Sequence, residues 1–140
     1  MVGNEVTIVC IEDDEGHARL IQRNLQRAGV TNPIVHFDNG SDALAWVKEH
    51  AAQKKPMLVL LDLNLPGMHG TEILRSIRST PETHTVPVVI LTTTDDPTEV
   101  KQCYDLGCSI YVTKPVDYEA FSDAVRKLGL FFSVVKVPGE

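Results

Sequence analysis

The chain has 140 residues, of which 43% are hydrophobic and 23% charged, with a formal net charge of −6. Such values fit one globular domain with a real core, and an acidic balance without a Lys/Arg cluster argues against nucleic-acid binding by this chain alone. No apolar run approaches the ~20 residues that span a bilayer, and residues 1–5 lack the features of a signal peptide. The three cysteines, Cys10, Cys103 and Cys108, have the spacing of neither a disulfide frame nor a zinc site. The expected compartment is the cytoplasm.

Residues 6–11 form a first buried strand that runs into Glu12, Asp13 and Asp14. A helix follows to about residue 28, with Ile21, Leu25 and Ala28 on one face, Asp14 as its cap and Gly29 at its C-terminal end. A short second strand covers 33–37. Asn39-Gly40-Ser41-Asp42 opens a second helix whose apolar face is Leu44, Trp46 and Val47, and a polar loop covers 51–56. Residues 57–61 are an unbroken apolar run between Pro56 and Pro66-Gly67. It is too short for a buried helix and reads as a strand covered on both faces, with Asp62 at its C-terminal end.

A third helix over about 70–78 buries Ile73, Leu74 and Ile77, with His69 as a poor cap for its start. Residues 87–92 make strand four. In Asp96-Pro97-Thr98-Glu99, Asp96 caps a fourth helix, Pro97 takes its first position and Glu99 reaches back, until Gly107 ends the helix. Strand five covers 109–113 and closes on Lys114-Pro115. Asp117 caps a fifth helix to about residue 128. This alternation is a (βα)₅ unit with a parallel sheet and helices on both faces, and the flavodoxin-like order 2-1-3-4-5 is expected. Residues 1–128 are the domain and 129–140 an extension.

In that order the C-terminal strand ends bring together Glu12 and Asp13, Asp62 with Asn64 just beyond it, Thr92, and Lys114. Three carboxylates in one cleft repel, and a hard divalent cation relieves them. With oxygen ligands and no His or Cys, Mg²⁺ is expected. Carboxylate, metal, lysine and hydroxyl together suit phosphoryl transfer, with the carboxylate as nucleophile.

Glu12-Asp13, Asp62, Thr92 and Lys114-Pro115 resemble the signature of the two-component response-regulator receiver domain, with 30 residues from Asp62 to Thr92 and 22 from Thr92 to Lys114. The resemblance covers about residues 6–128. The short chain and apolar tail are also similar to single-domain regulators that serve phytochrome-type histidine kinases. The resemblance implies that Asp62 accepts a phosphoryl group from a sensor histidine kinase. It implies that Asp13, Asp62 and the Asn64 carbonyl hold Mg²⁺, with Glu12 acting through water. Thr92 and Tyr111 would be the switch pair, and Lys114–Pro115 a cis peptide bond. Such a protein signals by protein–protein contact and is not a conventional enzyme.

Two other readings stand beside it. A dehalogenase-type phosphatase also uses a strand-end Asp, but it expects a second acid where Asn64 stands, a nucleophile on the first strand and a cap domain. A pseudo-receiver would lack an acid or the lysine. The extension, Gly129-Leu130-Phe131-Phe132-Ser133-Val134-Val135-Lys136-Val137-Pro138, carries apolar residues on both sides of an extended segment. It is expected to pair two copies of the chain in a two-fold homodimer.

Overall fold

The computed structural model describes residues 6–27 and 29–114, with 119, 123 and 126 beyond them. The expectations for Ala28, the Lys114–Pro115 peptide, the fifth helix and the extension lie outside the described residues. The elements in chain order are β1 (Thr7–Ile11), α1 (Glu15–Arg27), β2 (Ile34–Phe37), α2 (Gly40–Ala52), β3 (Met57–Leu61), α3 (Gly70–Ser79), β4 (Val88–Thr92), α4 (Pro97–Asp105) and β5 (Ile110–Thr113). All strand pairs are parallel and the sheet order is β2-β1-β3-β4-β5, the flavodoxin-like order expected from the alternation.

The pleat sorts each strand's side chains onto two cores. Val9, Ile11, Val59, Leu61, Val88 and Ile90 face one core with Ala43 and Val47 of α2, Ile73, Leu74 and Ile77 of α3, and Cys103 of α4. Ile8, Cys10, Leu58, Leu60, Val89 and Leu91 face the other core with Ile21 and Leu25 of α1. With helices on both faces, the central strands need apolar residues at every position, and β3 and β4 are buried along their whole length. All three cysteines are buried and free.

Local chemistry sets the helix ends. Asp14 Oδ1 accepts from the His17 N–H at 3.0 Å and caps α1, and Gly29 closes it at φ +92°, where a Cβ would be strained. Asn39 Oδ1 accepts from the Asp42 N–H at 2.9 Å and caps α2. That helix runs to Ala52, so the polar loop begins at Gln53 rather than at residue 51. Ala51 and Ala52 are good helix formers, and the chain turns at Lys54, φ +60°.

Two corrections concern α3 and α4. His69 does cap α3: its Nδ1 accepts from the Thr71 N–H at 3.2 Å and lies 2.8 Å from the Thr71 hydroxyl. A neutral imidazole offers one acceptor nitrogen, which is all that this capping geometry needs. Asp96 caps α4 through the Thr98 N–H at 3.0 Å, but Glu99 does not reach back. Its carboxylate turns to His69, with Oε1 3.3 Å from Nε2, because Asp96 has already taken a first-turn donor and the imidazole of α3 stands opposite.

Candidate functional site

The register of the sheet builds the site. Ile11 pairs with Leu61 across β1 and β3, and the Asp62 N–H continues the ladder to the Ile11 carbonyl at 3.1 Å. Glu12 and Asp62 therefore leave adjacent strands at the same level. Leu61 pairs with Ile90, and Thr92 with Thr113, so Thr92 and Lys114 arrive at the same edge from the other side. The sheet order inferred from the sequence was the premise for this convergence, and the strand ends do converge.

Glu12, Asp62, Thr92 and Lys114 are buried there, at 2%, 8%, 0% and 4% exposure, while Asp13 is exposed. The Lys114 ammonium donates to Glu12 Oε1, and to Asp62 Oδ2 at 3.2 Å. The other oxygens of both carboxylates take backbone donors: Asp62 Oδ1 accepts from the Asn64 N–H at 3.1 Å and Glu12 Oε2 from the Asp14 N–H at 3.2 Å. Each acid is thus held from two sides, and the nucleophile candidate has a fixed orientation.

Burial pushes the Glu12 carboxyl up to about 7; the hydrogen bond from Lys114 pulls it down and the Asp62 charge pushes it up again. Burial alone would lower Lys114, but the hydrogen bond to Glu12 and the charges of Asp62 and Glu12 outweigh it and hold the ammonium above its usual range. Lys114 is therefore a fixed cation between two acids.

Glu12, Asp13 and Asp62 each offer a carboxylate oxygen, and these oxygens lie within 4.8 Å of one another. The donor set is all oxygen, one member faces solvent, and among the described residues the Lys114 ammonium beside it leaves an excess of negative charge. That set fits a hard divalent cation better than zinc.

The third wall is polar and connected. The Asn64 side-chain amide reaches the Thr92 hydroxyl at 3.5 Å and the Thr94 hydroxyl at 3.3 Å. The Tyr111 hydroxyl donates to the Thr94 carbonyl at 2.6 Å, and burial pushes that phenol up to about 12, so it stays a donor. Of the residues expected from the sequence, Glu12, Asp13, Asp62, Asn64, Thr92 and Lys114 are gathered at one edge, and Tyr111 is tied to it through Thr94.

Two histidines were not singled out by the sequence. His36 Nε2 lies 2.7 Å from the Glu12 carbonyl and pins β2 to the acid-bearing loop. His17 Nδ1 lies 3.4 Å from Lys114 Nζ. His17 lies in the first turn of α1, and nothing local in the sequence marks it for this contact.

The response regulator receiver domain family matches residues 8–126 of the chain. The crystal structure of a receiver domain from Rhodospirillum rubrum is 54% identical, superposes with a TM-score of 0.91, and covers 96% of this chain and 98% of that one. Response regulator Rcp1 of Synechocystis is 34% identical over 110 residues, 76% of this chain and 75% of Rcp1. Its Mn²⁺-bound structure superposes with a TM-score of 0.86 at 29% identity, over 95% of this chain and 99% of that one. The phosphorylated cyanobacterial phytochrome response regulator RcpA is 33% identical with a TM-score of 0.86, over 96% and 99% of the two chains.

Proposed function

Because this chain belongs to the response regulator receiver domain family, we propose that Asp62 is its phosphoacceptor, charged by a sensor histidine kinase in a Mg²⁺-dependent transfer. The observation that carries this reading is the Asp62 carboxylate at the end of β3, held by Lys114 and the Asn64 N–H beside Glu12 and Asp13. Family membership makes the protein a two-component signalling protein and sets aside the dehalogenase alternative, whose nucleophile belongs on the first strand; in this reading the protein is not a conventional enzyme.

In the transfer an Asp62 carboxylate oxygen forms a bond to phosphorus as the phosphorus–nitrogen bond of the kinase phosphohistidine breaks. The leaving imidazole keeps the electron pair and takes a proton from solvent. Asp13, Asp62 and the Asn64 carbonyl would hold the cation, with Glu12 acting through water, and when bound it supplies charge neutralisation and alignment for the phosphoryl oxygens. The Mn²⁺-bound form of Rcp1 supports the binding of a divalent cation. Lys114 already touches Asp62, so a short movement of its ammonium reaches a phosphoryl oxygen while Glu12 keeps its other contact. The Thr92 hydroxyl, at the same edge, donates to another phosphoryl oxygen.

Thr92 and Tyr111 are the switch pair in this reading. Drawing Thr92 toward the phosphoryl group shifts the segment that carries Thr94, and the Tyr111 hydroxyl is bonded to the Thr94 carbonyl. The tyrosine then exchanges that bond for an inward position. The output is a changed surface read by another protein.

The likeness to RcpA supports a phytochrome-type kinase as the donor. Among the described residues no helix is long and apolar enough to cross a membrane, and the reading places the protein in the cytoplasm beside its kinase. Residues 129–140 supply the apolar surface of a homodimer; deleting 130–140 and measuring mass by light scattering tests this, with a full-length monomer at micromolar concentration as the refuting result. The phosphoacceptor reading is tested by incubation with a small phosphodonor and reading of intact mass. One phosphoryl group is gained with Mg²⁺ and none with a chelator; equal gain in both contradicts it.

A further inference from the structure

We propose that His69 and Glu99 form a latch that holds α4 in its resting position and has to open when Asp62 is phosphorylated. The inference rests on the phosphoacceptor reading for what opens the latch, and on the contacts of this structure for the latch itself. His69 ends the loop after Asp62 and caps α3, and Glu99 stands in the first turn of α4. His69 Nε2 lies 3.3 Å from Glu99 Oε1. Among the described residues that oxygen is the one buried side-chain polar atom without a formed hydrogen bond. A buried acceptor without a donor costs free energy, so the imidazole that faces Glu99 favours this placement of α4. The contact is at ion-pair distance and is not a formed hydrogen bond, so a modest shift of the helix undoes it.

The tie does not depend on the charge of the ring. Nδ1 lies 3.2 Å from the Thr71 nitrogen and 2.8 Å from its hydroxyl. A neutral ring accepts from the N–H, and a charged ring donates to the hydroxyl. In both forms Nε2 carries a proton toward Glu99, whereas the remaining tautomer would set a bare nitrogen against a carboxylate oxygen. Apolar packing holds α4 weakly: it buries Cys103 alone, where α3 buries Gly70, Ile73, Leu74 and Ile77. The far end of α4 is tied to β5, where the Tyr104 hydroxyl accepts from the Tyr111 N–H at 3.1 Å. Asp96, the α4 cap, follows closely on Thr94 in the chain, so a shift of the Thr94 segment toward the phosphoryl group carries the first turn of α4 with it. His69 does not follow, because the Gly70 N–H holds the start of α3 to the Leu63 carbonyl at 2.9 Å. The latch then parts, and by linkage a closed latch disfavours phosphorylation.

His69→Asn separates the latch from the cap. Asparagine caps helices well, but its amide is shorter than the imidazole and does not reach Glu99. Phosphorylation of this variant by a small phosphodonor in Mg²⁺ should quicken roughly three- to tenfold, as for the loss of one modest polar contact from the resting state. Glu99→Ala should give the same acceleration, and the double variant no more than either alone. Hydrogen exchange gives a readout without phosphorylation. In both single variants the amides of residues 97–105 should exchange faster than in wild type, while those of residues 70–79 should be unaltered in His69→Asn. A His69→Asn protein that matches wild type in phosphorylation rate overturns the proposal, whatever its exchange. Accelerations that add in the double variant, or α4 amides that exchange as in wild type, overturn it as well. A wild-type protein that takes no phosphoryl group, with α4 exchange responding to both substitutions as stated, would instead sink the phosphoacceptor reading and leave the resting tie in place.

Discussion

Gly70→Ala isolates how the backbone after Asp62 is held. Gly70 opens α3, and its N–H bonds the Leu63 carbonyl at 2.9 Å. A Cβ placed there would sit 2.6 Å from Leu63 Cα, 2.7 Å from the Asp62 carbonyl oxygen and 2.9 Å from Leu63 Cδ2. Ordinary contact begins near 3.4 Å, so the closest approach is short by 0.8 Å (3.4 minus 2.6), and two of the three atoms are backbone. Relief requires α3 and the segment after β3 to part, which strains the Gly70–Leu63 bond and displaces Asp62. Overpacking of this kind costs about 1–3 kcal/mol; the gain in helix propensity offsets roughly 0.5–1 kcal/mol. The net loss of up to about 2.5 kcal/mol lowers Tm by as much as roughly 10 °C in a domain of this size.

Gly40→Ala is the internal control. Its Cβ would come equally close, 2.6 Å, but to Ile73 Cδ1, the far end of a flexible side chain. Thermal melts of both variants, together with phosphorylation rates from a small phosphodonor, decide the matter. Gly70→Ala should be the less stable of the two and alone should slow phosphorylation, by up to about a hundredfold for a displacement near 1 Å. A Gly70→Ala protein that melts with the wild type and phosphorylates normally would refute the reasoning.

Lys114→Ala should remain folded, because Glu12 already binds a proton readily and can neutralise itself, yet it should lose its response to phosphorylation; unfolding seen by circular dichroism contradicts this. Replacing Asn64 and Thr94 together should change the phosphoryl lifetime, since both side chains line one wall beside Asp62; an unaltered hydrolysis rate removes them from the mechanism. His69→Ala removes the α3 cap and the contact to Glu99 and should cost about 0.5–2 kcal/mol in chemical denaturation, while a stability equal to wild type would assign the helix start to Gly70 alone.

Much of the architecture was legible because it rests on local signals. The apolar runs of β3 and β4 mark strands covered on both faces, and the strand–helix alternation with right-handed crossovers leaves few sheet orders. Once that order is set, Glu12, Asp62, Thr92 and Lys114 must meet. The misses share a different cause. His69 as a cap, Glu99 turned to His69, and His17 against Lys114 are contacts between side chains distant in sequence or unusual in type. Capping preferences rank histidine low because they average over many helices, whereas at Thr71 one accepting nitrogen suffices. No local pattern tells a first-turn histidine on α1 that a lysine after β5, 97 residues later, will arrive beside it.

The most direct measurement of the central claim is to locate the phosphoryl group. Wild-type protein is phosphorylated by a small phosphodonor in Mg²⁺, the acyl phosphate is reduced with borohydride, and the peptides are mapped by mass spectrometry. The account predicts a single reduced residue, Asp62, and no modified peptide from Asp62→Asn. A modification at Glu12, Asp13 or any other side chain in wild-type protein, or one that persists in Asp62→Asn, would contradict it.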